Sequence, residues 1–281
     1  MADFLQPQTL HAALEARAAH PDYLPIAGCT DVMVGFSHQA QPTGFIDLFG
    51  LAEIQGICAD DGHISIGAAT TYGDILKDPL VYESFPVLSE AIREIGAVQI
   101  QERGTLGGNL GTCSPVGDTL PVLLALDAQV HVASSKRGSR LVPINDFIVG
   151  YRKNALAEDE LIVEIKMPLA PEGTQQYWRK VGTRRAQSIS KLMMCVVGRL
   201  NGKDVEHIRI ALGAVAAAPM RVEKTEAVLA GQALHEETIL AAQDTLASEI
   251  TPIDDVRSSA VYRKEVACNL LGRFLNDLGG A

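Results

Sequence analysis

The hydrophobic pattern of this 281-residue chain changes character once, at the connector Pro-Leu-Ala-Pro-Glu-Gly over residues 168–173. Before the connector, short apolar runs typical of strands alternate with segments in which apolar residues recur at helical spacing. After it, three strand-like runs follow one another and three helical segments close the chain. A part in which strands and helices alternate and a part in which strands are followed by helices form different layer architectures. We therefore predict an α+β chain of two domains, residues 1–172 and 173–281.

The N-terminal part carries the signals of short helices and strands in turn. Thr9 is a candidate N-cap for a helix that ends at Pro21. Thr71 and Asp74 form a capping box, and an apolar stripe over residues 87–95 predicts a further helix. The remaining predicted elements are the strands 23–27, 44–48, 63–67, 128–133 and 161–167 and a helix over 121–127.

An Asn-Gly dipeptide marks a hairpin in the C-terminal part. Asn201 and Gly202 lie between two apolar runs, and both residue types tolerate the positive φ angles of a tight two-residue turn. We therefore predict a three-stranded sheet packed against helices. Its strands are 176–181, 192–200 and 205–214, and the helices begin near Pro219, Glu236 and Ser258.

The charge balance argues against a nucleic-acid binder. The chain has 24 Lys and Arg against 34 Asp and Glu, a net charge of −10, and one Trp, whereas nucleic-acid surfaces need basic stripes and stacking aromatic rings. No apolar run is long enough to cross a bilayer and no secretion signal is recognisable, so we expect a cytoplasmic protein without a membrane span. The five cysteines are scattered and form no Cys-x-x-Cys. We expect no metal site in this chain, so any redox chemistry requires a bound cofactor.

Two segments are unusually rich in glycine and small polar residues. The first loop, residues 25–32, reads Pro-Ile-Ala-Gly-Cys-Thr-Asp-Val, and the second loop, residues 103–111, reads Arg-Gly-Thr-Leu-Gly-Gly-Asn-Leu-Gly. Segments of this kind let backbone N–H groups converge on an anion such as a pyrophosphate. Neither has the spacing of a Rossmann or P-loop fingerprint. Two interpretations therefore stay open at this point, an anion site and a pair of tight turns.

Both loops resemble the cofactor loops of the FAD-binding medium subunits of molybdenum hydroxylases, the family of xanthine dehydrogenase and aerobic carbon monoxide dehydrogenase. Residues 26–31 resemble its Ala-Gly-Gly-Thr-Asp loop, and residues 103–109 resemble its Arg-Gly-Thr-Ile-Gly-Gly-Asn loop. Further similarity at residues 66–71, 159–162 and 209–215 extends the resemblance over nearly the whole chain.

The resemblance implies a two-domain flavoprotein, with an N-terminal FAD-binding domain of the vanillyl-alcohol-oxidase (PCMH) type and the C-terminal domain typical of this subunit. It also implies an oxidoreductase complex in which a large subunit holds the molybdopterin cofactor and a small subunit holds two [2Fe–2S] clusters. This chain would pass electrons from those clusters through FAD to an external acceptor, in a heterotrimer or its dimer. A stand-alone FAD oxidase acting on a small substrate and a non-catalytic nucleotide-binding module are the alternatives.

The same resemblance implies which residues of this chain contact the cofactor. The two loops are expected to hold the FAD diphosphate, Asp118 a cofactor hydroxyl, and Ile95 and Ile162 to give apolar cover. Lys180 is expected to face the charge of the phosphates or of the reduced flavin, and no residue is expected to be catalytic. The expected cofactor-binding residues are Pro25, Ile26, Ala27, Gly28, Cys29, Thr30, Asp31, Val32, Ile95, Thr105, Leu106, Gly107, Gly108, Asn109, Asp118, Ile162 and Lys180.

Cys29 departs from the family pattern, because it stands where the family usually has glycine. A small side chain that points away from the cofactor is compatible with this position. A redox role for the Cys29 thiol is the less favoured interpretation, since reactive thiols need an electropositive environment.

Overall fold

The computed structural model describes residues 2–36, 42–185 and 187–280, in which strands and helices alternate. The strands are β1 Asp3–Leu5, β2 Leu24–Ile26, β3 Gly44–Asp47, β4 Ile57–Asp60, β5 His63–Gly67, β6 Gln129–Ser134, β7 Gly138–Pro143, β8 Ile148–Gly150, β9 Lys153–Asn154, β10 Leu161–Pro168, β11 Gln175–Val181, β12 Leu192–Asn201, β13 Asp204–Gly213 and β14 Met220–Arg221. The helices are α1 Leu10–Ala19, α2 Val32–Gly35, α3 Tyr72–Lys77, α4 Pro79–Ser84, α5 Pro86–Arg93, α6 Val98–Gln101, α7 Leu106–Thr112, α8 Leu120–Ala125, α9 Ile144–Phe147, α10 Glu223–Leu229, α11 Glu236–Glu249 and α12 Ala260–Gly279, with one turn of 3₁₀ helix at Ala52–Ile54.

Two sheets organise the N-terminal part and lead into the two glycine-rich loops. β1, β3 and β2 pair in parallel in that order, and β4, β5, β10, β6 and β7 pair antiparallel. The parallel sheet packs against α1, with Ala13 and Ile46 fully buried in one cluster. β2 ends at Ile26 inside the first loop, and β5 is followed by Ala68, whose carbonyl O accepts a hydrogen bond from the second loop at Gly107.

One apolar core joins the helices of the N-terminal part to the C-terminal sheet. Side chains alternate between the two faces of a strand, and β12 is buried on both faces. Met193 and Cys195 pack into the core built by the N-terminal helices, whereas Met194 and Val196 pack against the C-terminal helices α10–α12. The two parts of the chain are therefore held in a fixed relation by shared apolar packing.

The predicted strands are all present, with ends that differ from the prediction by no more than one residue. The predicted helices over 87–95 and 121–127 correspond to α5 and α8. The helix after Thr9 is α1, and Thr9 caps it by accepting a hydrogen bond from the N–H of Ala12. Within the described residues, none of the helices combines the length and the apolar character that crossing a bilayer requires.

The C-terminal sheet has four strands where the sequence analysis predicts three. Met220 and Arg221 form β14, which pairs with β13, so the helix predicted near Pro219 begins only at Glu223. Arg221 is fixed at this edge because its Nε donates to Glu226 at 3.1 Å. A two-residue strand is too short to show the alternation on which strand prediction depends.

Candidate functional site

A cleft of about 1260 Å³ runs between the two glycine-rich loops and reaches the C-terminal part. Its wall also includes the hairpin β8–β9 and the loop that precedes α12. This volume exceeds the range of about 300–1,000 Å³ that is usual for small-ligand sites, and it suits a molecule of dinucleotide size. The cleft brings together all of the predicted site residues except Leu106 and Lys180.

The first loop presents unused backbone donors. β2 ends at Ile26, and Cys29 takes a left-handed φ of +61°. The backbone N–H groups of Gly28, Cys29, Thr30 and Asp31 donate to no acceptor among the described residues. Successive N–H groups beside a left-handed residue form a concave surface that binds anions. This loop is the part of the cleft best suited to hold phosphate oxygens.

Cys29 has a conformation that glycine adopts most readily. The side chain is half-buried, and its Sγ lies 3.4 Å from the carbonyl O of Ala27. Burial raises the pKa of the Cys29 thiol, the Asp47 carboxylate adds to this, and Arg103 opposes it. A raised thiol pKa leaves less of the reactive thiolate, which disfavours a redox role for Cys29.

The two loops are in direct contact at Gly28. A Cβ atom at this position would overlap the carbonyl O of Arg103. Arg103 is held in place by its guanidinium group, which lies 4.0 Å from the ring centroid of Phe49 in a cation–π contact. Glycine at position 28 therefore makes room for the backbone of the second loop.

The start of the second loop is already bonded within the protein. Thr105 caps α7, and its Oγ1 accepts a hydrogen bond from the N–H of Gly108 at 3.0 Å. The N–H of Gly107 donates to the carbonyl O of Ala68 at 3.0 Å, and a Cβ at Gly107 would lie 2.6 Å from that residue. Free N–H groups were expected in both loops, but those at the start of α7 have internal partners. Gly107 thus allows the start of α7 to pack closely on Ala68, directly after β5.

Asp118 is a largely buried carboxylate, with 11% of its side chain exposed, at the junction of the two parts of the chain. It accepts hydrogen bonds from Lys180 Nζ at 2.7 Å and from Ser190 Oγ at 2.8 Å, both supplied by the C-terminal part. Lys180 also donates to the carbonyl O of Glu94 at 3.3 Å. Burial raises the pKa of Asp118, whereas Lys180 and Ser190 act in the opposite direction. The charge on Asp118 therefore depends on donors from the other domain.

Further polar groups connect Asp118 to the second loop. Thr119 Oγ1 donates to Asn109 Oδ1 at 2.6 Å. Burial raises the pKa of Tyr72 and that of Glu94, and the Asp118 carboxylate adds to both effects. The cleft end at Asp118 thus gathers buried polar groups, Tyr72 and Thr119, and half-buried ones, Glu94 and Asn109.

Two predicted residues lie behind the cleft wall. Leu106 is fully buried in the shared core. The Lys180 side chain is 5% exposed, and its ammonium group reaches the cleft only through Asp118. The assignment of Leu106 and Lys180 to the cofactor stays a prediction.

The cleft wall also includes residues that no local sequence pattern marked. Asn154 Nδ2 donates to the carbonyl O of Gly111 at 2.9 Å and so holds the hairpin β8–β9 beside α7. Arg263 donates to the carbonyl O of Ala214 at 2.7 Å. These residues come from distant segments, so only the tertiary structure identifies them. The main ones are Arg17, Tyr151, Arg152, Asn154, Glu158, Ile189, Ala214, Ile253, Arg257 and Arg263.

Comparison with known proteins matches both parts of the chain. Residues 1–170 match the FAD binding domain in molybdopterin dehydrogenase, and residues 177–278 match the CO dehydrogenase flavoprotein C-terminal domain. The carbon monoxide dehydrogenase medium chain of Hydrogenophaga pseudoflava is 33% identical over 237 residues, which is 84% of this chain and 82% of that one. The xanthine dehydrogenase FAD-binding subunit of Escherichia coli O157:H7 is 30% identical over 281 residues, 98% of this chain and 95% of that one. A solved structure of carbon monoxide dehydrogenase from H. pseudoflava superposes with a TM-score of 0.93 at 30% identity, over 97% of this chain and 95% of the other.

The two-domain fold and the dinucleotide-sized cleft between glycine-rich loops define a flavoprotein of the molybdopterin dehydrogenase type. The chain belongs to the family of FAD-binding medium subunits of molybdenum hydroxylases, which are oxidoreductase components. The resemblance that the two loops suggest is thus confirmed along the whole chain.

Replacing Gly28 with alanine should separate the two loops. Because the new Cβ would overlap backbone, which cannot rotate away, we expect Gly28→Ala to lower the free energy of unfolding by about 1–3 kcal/mol. Gly50→Ala is the matched control, since a Cβ at Gly50 meets nothing within 4 Å. Urea denaturation of both variants measures the difference. Equal midpoints would contradict the close contact between the loops.

Replacing Lys180 with methionine should strengthen the dependence of stability on pH through Asp118. The pKa of an unfolded Asp carboxyl is about 3.9. A carboxyl whose pKa is raised above this value in the folded state contributes its full stabilisation of the fold below the unfolded pKa, and this contribution is lost as the pH rises through the folded pKa. Lys180 lowers the pKa of Asp118. Its removal should raise this folded-state pKa further, so that the stability lost on ionising Asp118 keeps increasing up to a higher pH. We expect Lys180→Met to be destabilised by about 3 kcal/mol near pH 8 and by clearly less near pH 5.

The control for this experiment is the double variant Lys180→Met with Asp118→Asn. It leaves no buried charge at this position, so its stability relative to the wild type should vary little between pH 5 and pH 8. Thermal unfolding over that range provides the readout. A Lys180→Met profile parallel to that of the double variant would show that Asp118 is not the group that Lys180 holds ionised.

Proposed function

We propose that this chain binds FAD in the cleft and acts as the electron-transfer subunit of a heteromeric molybdenum hydroxylase. The observation that carries the proposal is the row of unused N–H groups from Gly28 to Asp31, located in a cleft of about 1260 Å³. Family membership indicates FAD as the cofactor, and the unused N–H groups of residues 28–31 offer a place for its diphosphate. The bound flavin would supply one- and two-electron redox chemistry.

The residues of the cleft fit such a dinucleotide. The first loop would hold the diphosphate through neutral backbone donors, which suits a chain with a net charge of −10. Thr105, Gly107, Gly108 and Asn109 would form the opposite wall. The second loop would act chiefly by shape, since its first amides are engaged with other acceptors.

The other predicted residues would orient the rest of the cofactor. Asp118 would accept a hydrogen bond from a cofactor hydroxyl, with Lys180 and Ser190 keeping the carboxylate ionised. Ile95 and Ile162 line the cleft and would give apolar cover that excludes water from the bound group. Lys180 would act on the cofactor through Asp118.

The proposed partners follow from the family. A small subunit with two [2Fe–2S] clusters would deliver electrons to this chain, and a large subunit with the molybdopterin cofactor would oxidise the organic substrate. The electrons would leave for NAD⁺, oxygen, a quinone or another acceptor. The proposed assembly is a heterotrimer or its dimer, in the cytoplasm. Support comes from relatives that are named as medium chains and FAD-binding subunits of dehydrogenases.

Reconstitution with FAD tests the proposal. The purified chain, incubated with FAD and freed of excess by gel filtration, should retain the visible absorption bands of an oxidised flavin. Anaerobic titration with dithionite should bleach those bands, and turnover of an organic substrate should require the molybdenum and iron–sulfur subunits. A colourless chain would contradict the proposal. Turnover of a small substrate by the chain alone would point to an oxidase, and nucleotide binding without flavin would point to a binding module.

A further inference from the structure

The hairpin β8–β9 carries an arginine to the wall of the cleft. The base of the hairpin is fixed by the hydrogen bond from Asn154 to Gly111. Its tip consists of Tyr151 and Arg152, and both residues line the cleft. Arg152 has a left-handed φ of +50°, which is uncommon for residues other than glycine. The hairpin therefore places the backbone of a cationic residue at the cleft wall and leaves its side chain adjustable.

Arg152 differs from the other arginines of the cleft wall in what it contacts. Arg17 and Arg263 each donate to two backbone carbonyl groups, and Arg257 pairs with a carboxylate of its own loop. Among the described residues, Arg152 has an ion pair with Asp31 alone, with 3.5 Å between Nη1 and Oδ2. This distance is longer than an ordinary hydrogen bond. The Arg152 side chain is 44% exposed, so it can change partner at small cost.

Asp31 belongs to the first loop, beside the unused N–H groups. Its carboxylate does not cap α2, since it accepts no capping hydrogen bond. An anion bound at those N–H groups would be repelled by Asp31 unless a cation stood close by. Arg152 is already adjacent to that carboxylate. A guanidinium group can also donate two parallel hydrogen bonds to phosphate oxygens.

We propose that Arg152 is the cation that binds the diphosphate of the dinucleotide, exchanging its loose pair with Asp31 for the phosphate oxygens. This inference rests on the proposed function and adds to it a residue outside both glycine-rich loops. In the free protein Asp31 holds Arg152 near the first loop. In the complex the backbone N–H groups and Arg152 would approach the diphosphate from two sides.

Binding measurements on the cofactor-free full-length chain test the proposal, with FAD and ADP as probes. ADP carries the diphosphate without the flavin. We expect Arg152→Gln to weaken both affinities about tenfold to a hundredfold and to reduce their dependence on salt concentration. Arg152→Lys should recover part of the affinity because it keeps the charge. Isothermal titration at two salt concentrations provides the readout.

Asp31 offers a second and independent measurement. Asp31→Asn should strengthen FAD binding, since it removes the repulsive carboxylate, and it should restore part of the affinity that Arg152→Gln loses. Arg273→Gln is the matched control, because Arg273 also has a loose, exposed ion pair, at 3.8 Å from Asp277, and does not line the cleft. Thermal unfolding confirms that each variant is folded.

Unchanged FAD and ADP affinities in Arg152→Gln, with wild-type binding intact, would overturn the role of Arg152 and leave the proposed function standing. An equal loss in Arg273→Gln would overturn it as well, because the effect would then be one of net charge. A wild-type chain that binds neither FAD nor ADP would overturn both proposals together.

Discussion

The contact between Gly28 and the carbonyl O of Arg103 sets how closely the two glycine-rich loops of the cleft approach each other. Two loops that are more than seventy residues apart in the sequence meet at one position where no side chain fits. The second loop packs in turn on Ala68, directly after β5, through Gly107, and the first loop begins at the end of β2, so both loops are anchored to sheets. The second loop lies against the first loop at Gly28, and the N–H groups of residues 28–31 have no acceptor among the described residues. The glycines thus act first on the protein's own packing, and the anion-binding surface is a consequence of that packing.

The charged groups, like the glycines, serve mainly the packing of the protein and leave few groups for a ligand. The chain has a net charge of −10, and the described cleft wall mixes carboxylates with arginines, so a dianionic diphosphate would not meet a purely basic surface there. Charged groups near the cleft pair with each other: Lys180 pairs with Asp118 across the two domains, and Arg263 pairs with Asp255. Buried charges need such partners, because leaving one unpaired costs several kcal/mol. What remains for a ligand is neutral N–H donors and the loosely paired Arg152.

The sequence predicts this molecule unevenly, for physical reasons. Strands such as β10 and β12 are buried, so their apolar runs are long and their ends could be placed within one residue. Edge strands such as β4 and β7 are mostly exposed and lack that signal. The loops are recognisable because close approach demands glycine, yet their composition does not show that the amides of residues 28–31 are free whereas those of Leu106, Gly107 and Gly108 have internal acceptors. Arg152 and Asn154 could not be predicted as cleft residues, since a hairpin tip has the same composition wherever it lies. The ion pair between Lys180 and Asp118 joins segments 62 residues apart, so the sequence pattern does not reveal it, and a role of Lys180 toward the cofactor stays a prediction.

Hydrogen exchange at the two loops, with and without FAD, is the decisive measurement of whether the amides of the first loop bind the diphosphate. We expect rapid exchange at residues 28–31 in the cofactor-free chain, since those amides have no acceptor among the described residues, and strong protection there once FAD is bound. The amides of Gly107 and Gly108 should be protected in both states, because Ala68 and Thr105 already accept their hydrogen bonds. Protection of residues 28–31 before FAD is added, or FAD binding that leaves their exchange unchanged, would show that these amides are not the diphosphate site.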